Sequence, residues 1–328
     1  MRAVVQRAFG GPEVLVVEQV KLPEPADGEV RVRVAAAGVH AVDTNIRQND
    51  APPSMPSPSP TLPMTPGREA AGIVDAVGPG VDESLIGQRV VAHVGFRSGA
   101  YAETVLVAAA ALHLVPGGVS LPHAVAAIGT GRTAQLVLDA AQVEASDVVI
   151  IPGASGGLGS QLAQFILWIG ATVVALYGGE AKRAVVEGLA PGDARFIALD
   201  ATDESWPAQL SALLGERAPS VLIDGVGGTT GRAAFEALGR SGRVVIIGWS
   251  SGEVVRIDSE DIVARSLTVT VPLGRPVASL RDLEARALAA VAEGRVSPPV
   301  DEFPLERAAD AHAAIEQRRQ QGKVVLIP

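Results

Sequence analysis

The stretch Ile150-Ile151-Pro152-Gly153-Ala154-Ser155-Gly156-Gly157-Leu158-Gly159 joins a β-branched run to a glycine-rich turn and then to a helical pattern. Residues 147–151 have the Val and Ile content of a buried parallel strand, and apolar residues recur at helical spacing over 160–170. Glycine allows positive φ and close backbone approach at the turn. The stretch therefore predicts a strand–turn–helix unit, with a GxxGxxG spacing in place of the more common GxGxxG.

A helix that begins at such a turn directs free N–H groups and the positive end of its dipole toward a bound anion. This arrangement is typical of a dinucleotide site, in which the turn holds a pyrophosphate. A purely structural glycine turn is the alternative, which the flanking strand and helix disfavour.

The end of the next predicted strand, 171–176, bears on the choice of dinucleotide. An acidic residue there usually bonds the ribose hydroxyls of NAD, whereas this strand is followed by Tyr177-Gly178-Gly179. Lys182 and Arg183 then begin the next helix, where cations could bind a 2′-phosphate, although Glu180 adds the opposite charge. The pattern favours NADP(H) over NAD(H), and solvated helix charges are the alternative for the two cations.

Length and composition limit the class of protein. A chain of 328 residues exceeds the usual size of a single core, so two domains are expected. The sequence contains neither an apolar signal core nor a run of about 18 apolar residues, so we expect a cytoplasmic protein without a membrane partner. A net charge of −9 disfavours nucleic-acid partners, which need clustered cations.

Metal and thiol chemistry are not expected. The chain has no cysteine, which excludes disulfides, thiolate nucleophiles and cysteine-containing zinc sites. Its five histidines form no HxxxH or HExxH pattern. We therefore predict no metal site.

The pattern of elements changes along the chain. Short strands dominate up to about residue 115, interrupted by a proline-rich stretch, 51–66, that predicts an extended loop, either a flap over a pocket or a surface loop. From about residue 124 helices and strands alternate, beginning with a predicted helix over 124–140, which indicates a doubly wound parallel sheet. The last sixty residues return to a mixed pattern, with helices predicted over 279–293 and 306–320 and a closing strand.

The order and spacing of several motifs resemble one known family, the zinc-independent medium-chain dehydrogenases/reductases of the quinone oxidoreductase (zeta-crystallin-like) type. The resemblance runs nearly end to end. The motifs are MRAVVQRAFGGPEVL at the start, AAGVHAVDTNIR at 36–47, PGREAAGIV at 66–74, GQRVV at 87–91, GAYAE at 99–103, the glycine turn, DGVGG at 224–228, GRVVIIG at 242–248 and GKVVL at 322–326.

The resemblance implies an α/β fold of two domains with the active-site cleft between them. A GroES-like, mostly β catalytic domain would comprise 1–122 and 268–328, and a Rossmann domain with a doubly wound parallel sheet would bind NADP(H) over 123–267. It also implies a homodimer, joined through the Rossmann edge strand near Val269 to Val271.

The resemblance also bears on chemistry. Zinc-dependent relatives carry Cys where this chain has His40 and His where it has Arg68, so alcohol oxidation on a Lewis acid is disfavoured. Hydride transfer to a conjugated acceptor, a quinone or an enone, fits better. Many zinc-free members have a Tyr, proposed as a proton donor, where Asn45 stands. His40 is a candidate replacement, with a satisfied buried histidine as the alternative, and Asp43 caps the following helix or orients His40.

The candidate site residues follow from these considerations. The catalytic candidates are His40, Asn45 and Asp43. The cofactor candidates, several of them implied only by the resemblance, are Thr133, Ser155, Gly156, Gly157, Leu158, Gly159, Tyr177, Gly178, Lys182, Gly225, Gly248, Trp249, Ser250 and Arg318. Leu199 stands where relatives often have a phosphate-binding Tyr, which weakens the NADP(H) prediction.

We therefore expect an NADPH-dependent, zinc-free reductase that transfers hydride to a quinone. One alternative is an enoyl or ene reductase of α,β-unsaturated carbonyls, for example in secondary metabolism. Another is an NADPH-binding sensor or structural protein with little turnover, an alternative that the missing Tyr keeps open.

Overall fold

A computed structural model describes residues 1–50 and 60–328. The strands are β1 (Arg2–Gln6), β2 (Leu15–Gln19), β3 (Glu29–Gly38), β4 (Glu69–Val77), β5 (Arg89–His93), β6 (Thr104–Ala108), β7 (His113–Leu114), β8 (Val148–Pro152), β9 (Thr172–Tyr177), β10 (Phe196–Asp200), β11 (Val221–Asp224), β12 (Arg243–Ile246), β13 (Thr268–Thr270), β14 (Val300–Pro304) and β15 (Lys323–Ile327). The helices are α1 (Ala41–Gln48), α2 (Leu121–Ala126), α3 (Arg132–Ala141), α4 (Gly157–Ile169), α5 (Arg183–Glu187), α6 (Trp206–Leu214), α7 (Gly228–Glu236), α8 (Ser259–Arg265), α9 (Leu280–Ala292) and α10 (Ala308–Glu316).

The chain forms two compact units. Unit 1 comprises Met1–Arg132, Leu280–Glu293 and Val300–Pro328, and unit 2 comprises Thr133–Ser279 and Gly294–Pro299. Both chain ends thus contribute to unit 1, and its first boundary falls about ten residues after the predicted one at 122. Most of the proline-rich stretch, residues 51–59, lies outside the described residues, so its predicted role stays a prediction.

Unit 1 is built on a sheet with the strand order β14-β15-β3-β4-β5-β7, in which β6 also pairs with β3. Alternate residues of β3 are buried, as expected for a strand with one face on a core. The core on that face is made mainly of Val and Ala side chains, among them Val30, Val32, Ala70 and Val90. The ends of four neighbouring strands, β15, β3, β4 and β5, position the polar groups of the candidate active site.

Unit 2 is a parallel sheet with the order β10-β9-β8-β11-β12-β13. Its central strands are buried on both faces, as in β8, where all five residues are buried. The chain runs outward from β8 in both directions, so the strand order reverses between β8 and β11. This confirms the predicted doubly wound sheet, and ligands of such sheets bind at the carboxyl edge beside this reversal.

Two predicted helices differ from the structure. The helix expected over 124–140 is three segments, α2, a π-helix over Ala127–Gly131 and α3. The helix expected over 306–320 is α10, which ends at Glu316, and Arg318 beyond it has a φ of 55° that no helix continues. Within the described ranges, no helix is long and apolar enough to cross a membrane.

Candidate active site and cofactor cradle

The glycine turn after β8 has the predicted geometry. Gly153 adopts a φ of 74°, and Gly156 is the N-cap residue of α4. The Gly156 N–H donates to the Gly153 carbonyl at 3.0 Å. A Cβ carbon at Gly159 would overlap that same carbonyl, so helix and turn can pack this closely only with glycine there.

The remaining predicted cofactor residues of unit 2, apart from Thr133 and Lys182, lie at the same carboxyl edge. Ser155 belongs to the glycine turn, and Gly157 and Leu158 belong to the first turn of α4. Tyr177 is the last residue of β9, and Gly178 follows it. A Cβ carbon at Gly178 would meet no atom within 4 Å, so the backbone there is open to a ligand.

At the same edge, the loop after β11 and the loop after β12 are joined to each other. The Ser250 N–H donates to the Gly225 carbonyl at 2.9 Å, and Gly248 and Trp249 lie in the same connection after β12. Asp224, the last residue of β11, fixes the backbone of the loop that follows, because one of its carboxylate oxygens accepts from the Val226 N–H at 2.8 Å. Burial raises the pKa of the Asp224 carboxyl, against the effect of the bonds that it accepts from the loop.

The polar end of β9 also carries cationic groups. The Arg183 Nε donates to the Tyr177 hydroxyl at 3.1 Å, and Lys182 precedes it in a short 3₁₀ turn. Asp200, which pairs with Tyr177 across the sheet, accepts from the Gly179 N–H at 2.9 Å. The nearest carboxylate at the end of these strands therefore accepts a backbone bond, and Arg183 is ion-paired with Glu180 and Glu187.

Thr133 and Arg318 were predicted to contact the cofactor from other elements. Thr133 is half-buried near the start of α3, at the first residue of unit 2. Arg318 is exposed and belongs to unit 1. Their cofactor roles stay predictions.

In unit 1, His40 lies at the end of β3, where it is the N-cap residue of α1. Its Nε2 atom lies 2.6 Å from the Glu69 Oε1 atom and 2.9 Å from the Lys323 Nζ atom. The Lys323 Nζ atom lies 3.0 Å from the other Glu69 oxygen. The three side chains thus form one charge cluster, in which His40 is the partly exposed member, with 21% of its side-chain surface accessible.

Burial and neighbouring charges shift the pKa values of Glu69 and Lys323 in opposite directions. Burial alone would raise the pKa of the Glu69 carboxyl, but the positive charges of His40 and Lys323 outweigh it and hold that pKa well below its usual range. Burial lowers the pKa of the Lys323 ammonium, against the effect of Glu69. Glu69 is therefore a buried carboxylate that is kept ionised by its partners.

A second buried chain of polar groups begins beside this cluster. The His93 Nε2 atom lies 3.2 Å from an Arg132 nitrogen, and Arg132 binds one Glu284 oxygen at 2.9 Å. The other Glu284 oxygen lies 3.1 Å from His113 Nε2. Burial, opposed by Glu69, lowers the pKa of His93 to about 4, so His93 is neutral at physiological pH.

Asp43, the third residue of α1, joins His40 to a third network. Its Oδ2 atom accepts from the His40 backbone N–H at 2.8 Å and from the Tyr101 hydroxyl at 3.2 Å. The Tyr101 hydroxyl lies 3.2 Å from His312 Nε2, and His312 Nδ1 lies 3.2 Å from an Arg47 nitrogen. Asp43 is thus the third helix residue of a capping box with His40 as the N-cap residue, and its carboxylate holds the His40 backbone and not its ring.

Asn45 and Arg47 are the two further polar residues of α1 that bear on the site, and the catalytic role of Asn45 stays a prediction. Asn45 is half-buried, and among the described residues no hydrogen bond joins its side chain to His40 or Asp43. Arg47 is fully buried, where it contacts Glu316 and donates to the Gly10 carbonyl at 3.0 Å. Arg47 is therefore a structural residue and not a surface group facing a ligand.

Sequence reasoning missed Glu69 and Lys323 as site residues. Each is a charged residue that directly precedes an apolar run, Glu69 before Ala70 and Lys323 before Val324. Each is also the first residue of its strand. An oppositely charged pair at two strand starts could have suggested contact, but only the strand order places β15, β3 and β4 side by side.

The residues of this centre do not fit a zinc ion. The chain lacks cysteine, and over residues 1–50 and 60–328 no group of three or more His, Cys, Asp and Glu side chains is arranged to hold a metal. The imidazole nitrogen that could bind a metal already faces the Lys323 ammonium.

Comparisons with known proteins agree with this architecture. Two family models match, the alcohol dehydrogenase GroES-like domain over residues 26–117 and the zinc-binding dehydrogenase over residues 193–326. The first of these confirms the predicted GroES-like domain. The quinone oxidoreductase of Sus scrofa is 31% identical over 100% of this chain and 98% of its own length.

Two solved structures are similar over their full lengths. A crystal structure of an NAD-dependent alcohol dehydrogenase is 33% identical with a TM-score of 0.87, and it covers 100% of both chains. The Escherichia coli quinone oxidoreductase complexed with NADPH is 28% identical with a TM-score of 0.83, also over 100% of both chains. With full-length similarity to quinone oxidoreductases and residues that do not fit a zinc ion, this chain is an oxidoreductase that belongs to the zinc-independent quinone oxidoreductase family of the medium-chain dehydrogenases/reductases.

Proposed function

We propose that the protein is an NADPH:quinone oxidoreductase. The observation that carries this proposal is the cluster of His40, Glu69 and Lys323, in which the Lys323 ammonium contacts the imidazole nitrogen and a carboxylate. The cofactor is NADP(H). A quinone suits a centre whose residues do not fit a zinc ion, because its two carbonyl groups already make the ring electron-poor.

The chain offers a fitting cradle for the dinucleotide. The turn at Gly153 to Gly159 would hold the pyrophosphate on the free N–H groups of α4, and the open backbone at Gly178 leaves room for the adenosine ribose. Lys182 and Arg183 would bind the 2′-phosphate as cations. Bound NADPH supplies the hydride.

The charge cluster of unit 1 would serve the acceptor. A hydride added to a quinone leaves its electron pair on a ring oxygen, and that oxygen needs a proton to become a hydroxyl. The balanced reaction is NADPH, a proton and a quinone giving NADP⁺ and a hydroquinone. His40, the accessible member of the cluster, would carry the proton, while the Lys323 ammonium keeps the surroundings positive for the developing anion.

We also propose a homodimer joined through β13. This strand lies at the edge of the unit 2 sheet, and Val269 within it and Val271 directly after it are exposed. An exposed apolar edge strand readily pairs with another strand, and a symmetric pairing of two copies would cover both edges.

The test is loss of NADPH absorbance on purified protein with two acceptors, an ortho-quinone and an enone. Consumption with the quinone, and little with NADH in place of NADPH, is the expected result. The His40→Ala variant should lose most of the rate with its NADPH affinity unchanged, whereas His123→Ala, a histidine bonded to Ser120 at the surface, should keep it.

Other outcomes would contradict the proposal. Consumption with the enone alone would make the protein an ene reductase. Tight NADPH binding without turnover on either acceptor would instead indicate an NADPH-binding sensor or structural protein.

A further inference from the structure

We infer that Glu69 is a positioning residue that holds the His40 imidazole and stabilises its protonated form, with Lys323 as the counter-cation that sets the strength of this effect. The inference deepens the proposed function, on which it rests, because it identifies what prepares the proposed proton carrier. It starts from geometry, since the imidazole, the carboxylate and the ammonium are in mutual contact.

The backbone fixes the three side chains independently of any ligand. Gly38 at the end of β3 pairs with Val325 of β15, and Ala37 pairs with Ala70 of β4. Lys323 is the first residue of β15 and Glu69 is the first residue of β4, and these two strands flank β3. The imidazole of His40, two residues beyond Gly38, therefore meets a cation from one neighbour strand and an anion from the other.

Two glycines leave the space for the carboxylate. A Cβ carbon at Gly38 would overlap the Glu69 Oε2 atom, and one at Gly129 in the π-helix would overlap the Oε1 atom. The carboxylate is thus enclosed from two elements and has no accessible surface. Because it cannot swing away, its contact with His40 Nε2 persists in the folded protein.

Charge decides which form of His40 the cluster favours. The charged and titratable groups that act on the cluster are Asp43 on α1, Arg68 beside β4 and His93 on β5, and Arg132 on α3 acts on His93. Glu69 is the anion in contact with the ring nitrogen, and Lys323 is the cation in contact with the same nitrogen. Removing the anion leaves the cations to oppose protonation, while removing the cation leaves the anion to favour it.

The experiment is an NMR pH titration of the His40 ring in the full chain without substrate. The ring signals are assigned by their absence from the spectrum of the His40→Ala variant, and the midpoint of the titration is compared between variants. We expect Glu69→Gln to lower the His40 midpoint by about one to three pH units and Lys323→Met to raise it by a similar amount. Asp147→Asn is the matched control, a buried carboxylate of unit 2 that contacts Arg243, and it should leave the His40 midpoint unchanged.

Activity gives the second readout. With a quinone, Glu69→Gln should lower kcat by tenfold or more, shift the pH profile of kcat in the direction of the titration, and leave the KM for NADPH unchanged. If Glu69→Gln does not fold, Glu69→Asp, which keeps the charge but withdraws it by one methylene, should give the same direction with a smaller shift.

The outcomes separate this inference from the proposed function. A folded Glu69 variant with the wild-type His40 midpoint would overturn the inference whatever the enzyme reduces. Midpoints that move in opposite directions in the two variants would support it, and if the wild type then reduced no quinone, only the proposed acceptor would be wrong.

Discussion

Gly129 lies so close to Glu69 that a Cβ carbon at position 129 would overlap the carboxylate oxygen nearest to His40. Gly129 belongs to the π-helix over Ala127–Gly131, a rare element that is frequent at functional sites. The irregular turn thus brings a backbone without a side chain against the one buried anion of the charge cluster.

The Gly129→Ala variant should be destabilised by this overlap. Alanine is preferred over glycine in a helix by about 1 kcal/mol, but overpacking a filled core costs about 1–3 kcal/mol, and here it also disturbs the contacts of Glu69. We expect a net loss of about 1–2 kcal/mol in the free energy of unfolding, measured by urea denaturation.

The control for this prediction is Gly117→Ala. Gly117 lies in an exposed turn of the same unit, and a Cβ carbon there would meet no atom within 4 Å. Its stability should equal that of the wild type within about 0.5 kcal/mol. A Gly129→Ala variant as stable as Gly117→Ala would mean that the Glu69 carboxylate can move aside.

Local patterns were enough to predict unit 2 from the sequence. Its strands are continuous apolar runs, such as Val148–Pro152, and glycine marks the phosphate turn, so strand, turn and helix each have a signal within a few residues. The carboxyl edge then follows from the rule that parallel strands point the same way, which explains why Gly178, Gly225 and Gly248 lie at one edge of the sheet.

The cluster of unit 1 lacked such a signal. His40, Glu69 and Lys323 are far apart in the sequence, and only the order β15-β3-β4 brings them together. The break of the predicted helix at 127–131 was equally hidden, because its apolar pattern continues through the π-helix, and the close approach of Gly129 to Glu69 is a non-local contact. Non-local pairing, and not local propensity, determines this site.

The cations after β9 should select NADPH over NADH. Replacing Lys182 or Arg183 with Ala would remove a charged donor to the 2′-phosphate, which is worth about 1.5–3 kcal/mol for a hydrogen bond to a charged group. The Kd for NADPH, measured by calorimetry, should rise about tenfold to a hundredfold, whereas the Kd for NADH should change by less than about twofold.

Arg217→Ala, a change at an exposed arginine after α6, is the control and should leave both constants unchanged. This test matters because the similar structures include both an NAD-dependent enzyme and an NADPH complex. An equal loss of affinity for both dinucleotides would show that the two cations bind a group that NADPH and NADH share.

The edge strand β13 offers a test of assembly. Val269 is 37% exposed, and the backbone of its strand pairs with β12 on one side only among the described residues. Val269→Lys would place a charge at the proposed strand pairing, where natural edge strands use lysine to prevent association. We expect sedimentation velocity to show a dimer for the wild type and a monomer for this variant at micromolar concentration.

Val254→Lys is the matched control, an exposed valine of unit 2 outside any strand, and it should stay dimeric. A wild type that sediments as a monomer would refute the proposed dimer. A Val269→Lys variant that remains dimeric would place the interface on another surface.

His312 should make the folded protein sensitive to acid. Burial, assisted by the charge of Arg47, lowers the pKa of His312 to about 3 from the ordinary 6.5. Between these values the unfolded chain binds one proton more than the folded chain, so the free energy of unfolding falls as the pH falls, by up to about 1.4 kcal/mol per pH unit for this group. Above pH 6.5 the effect is absent.

The His312→Gln variant tests this sign because an amide can still donate to Tyr101 and accept from Arg47 but does not titrate. The free energy of unfolding is measured by urea denaturation at several pH values between 6.5 and 4.5. For His312→Gln it should fall less steeply with decreasing pH than for the wild type, by up to about 1.4 kcal/mol per pH unit, which corresponds to one proton. The His123→Gln variant, changed outside the network, should keep the wild-type slope. Equal slopes in His312→Gln and the wild type would mean that the buried imidazole accepts its proton without unfolding, which the adjacent guanidinium opposes.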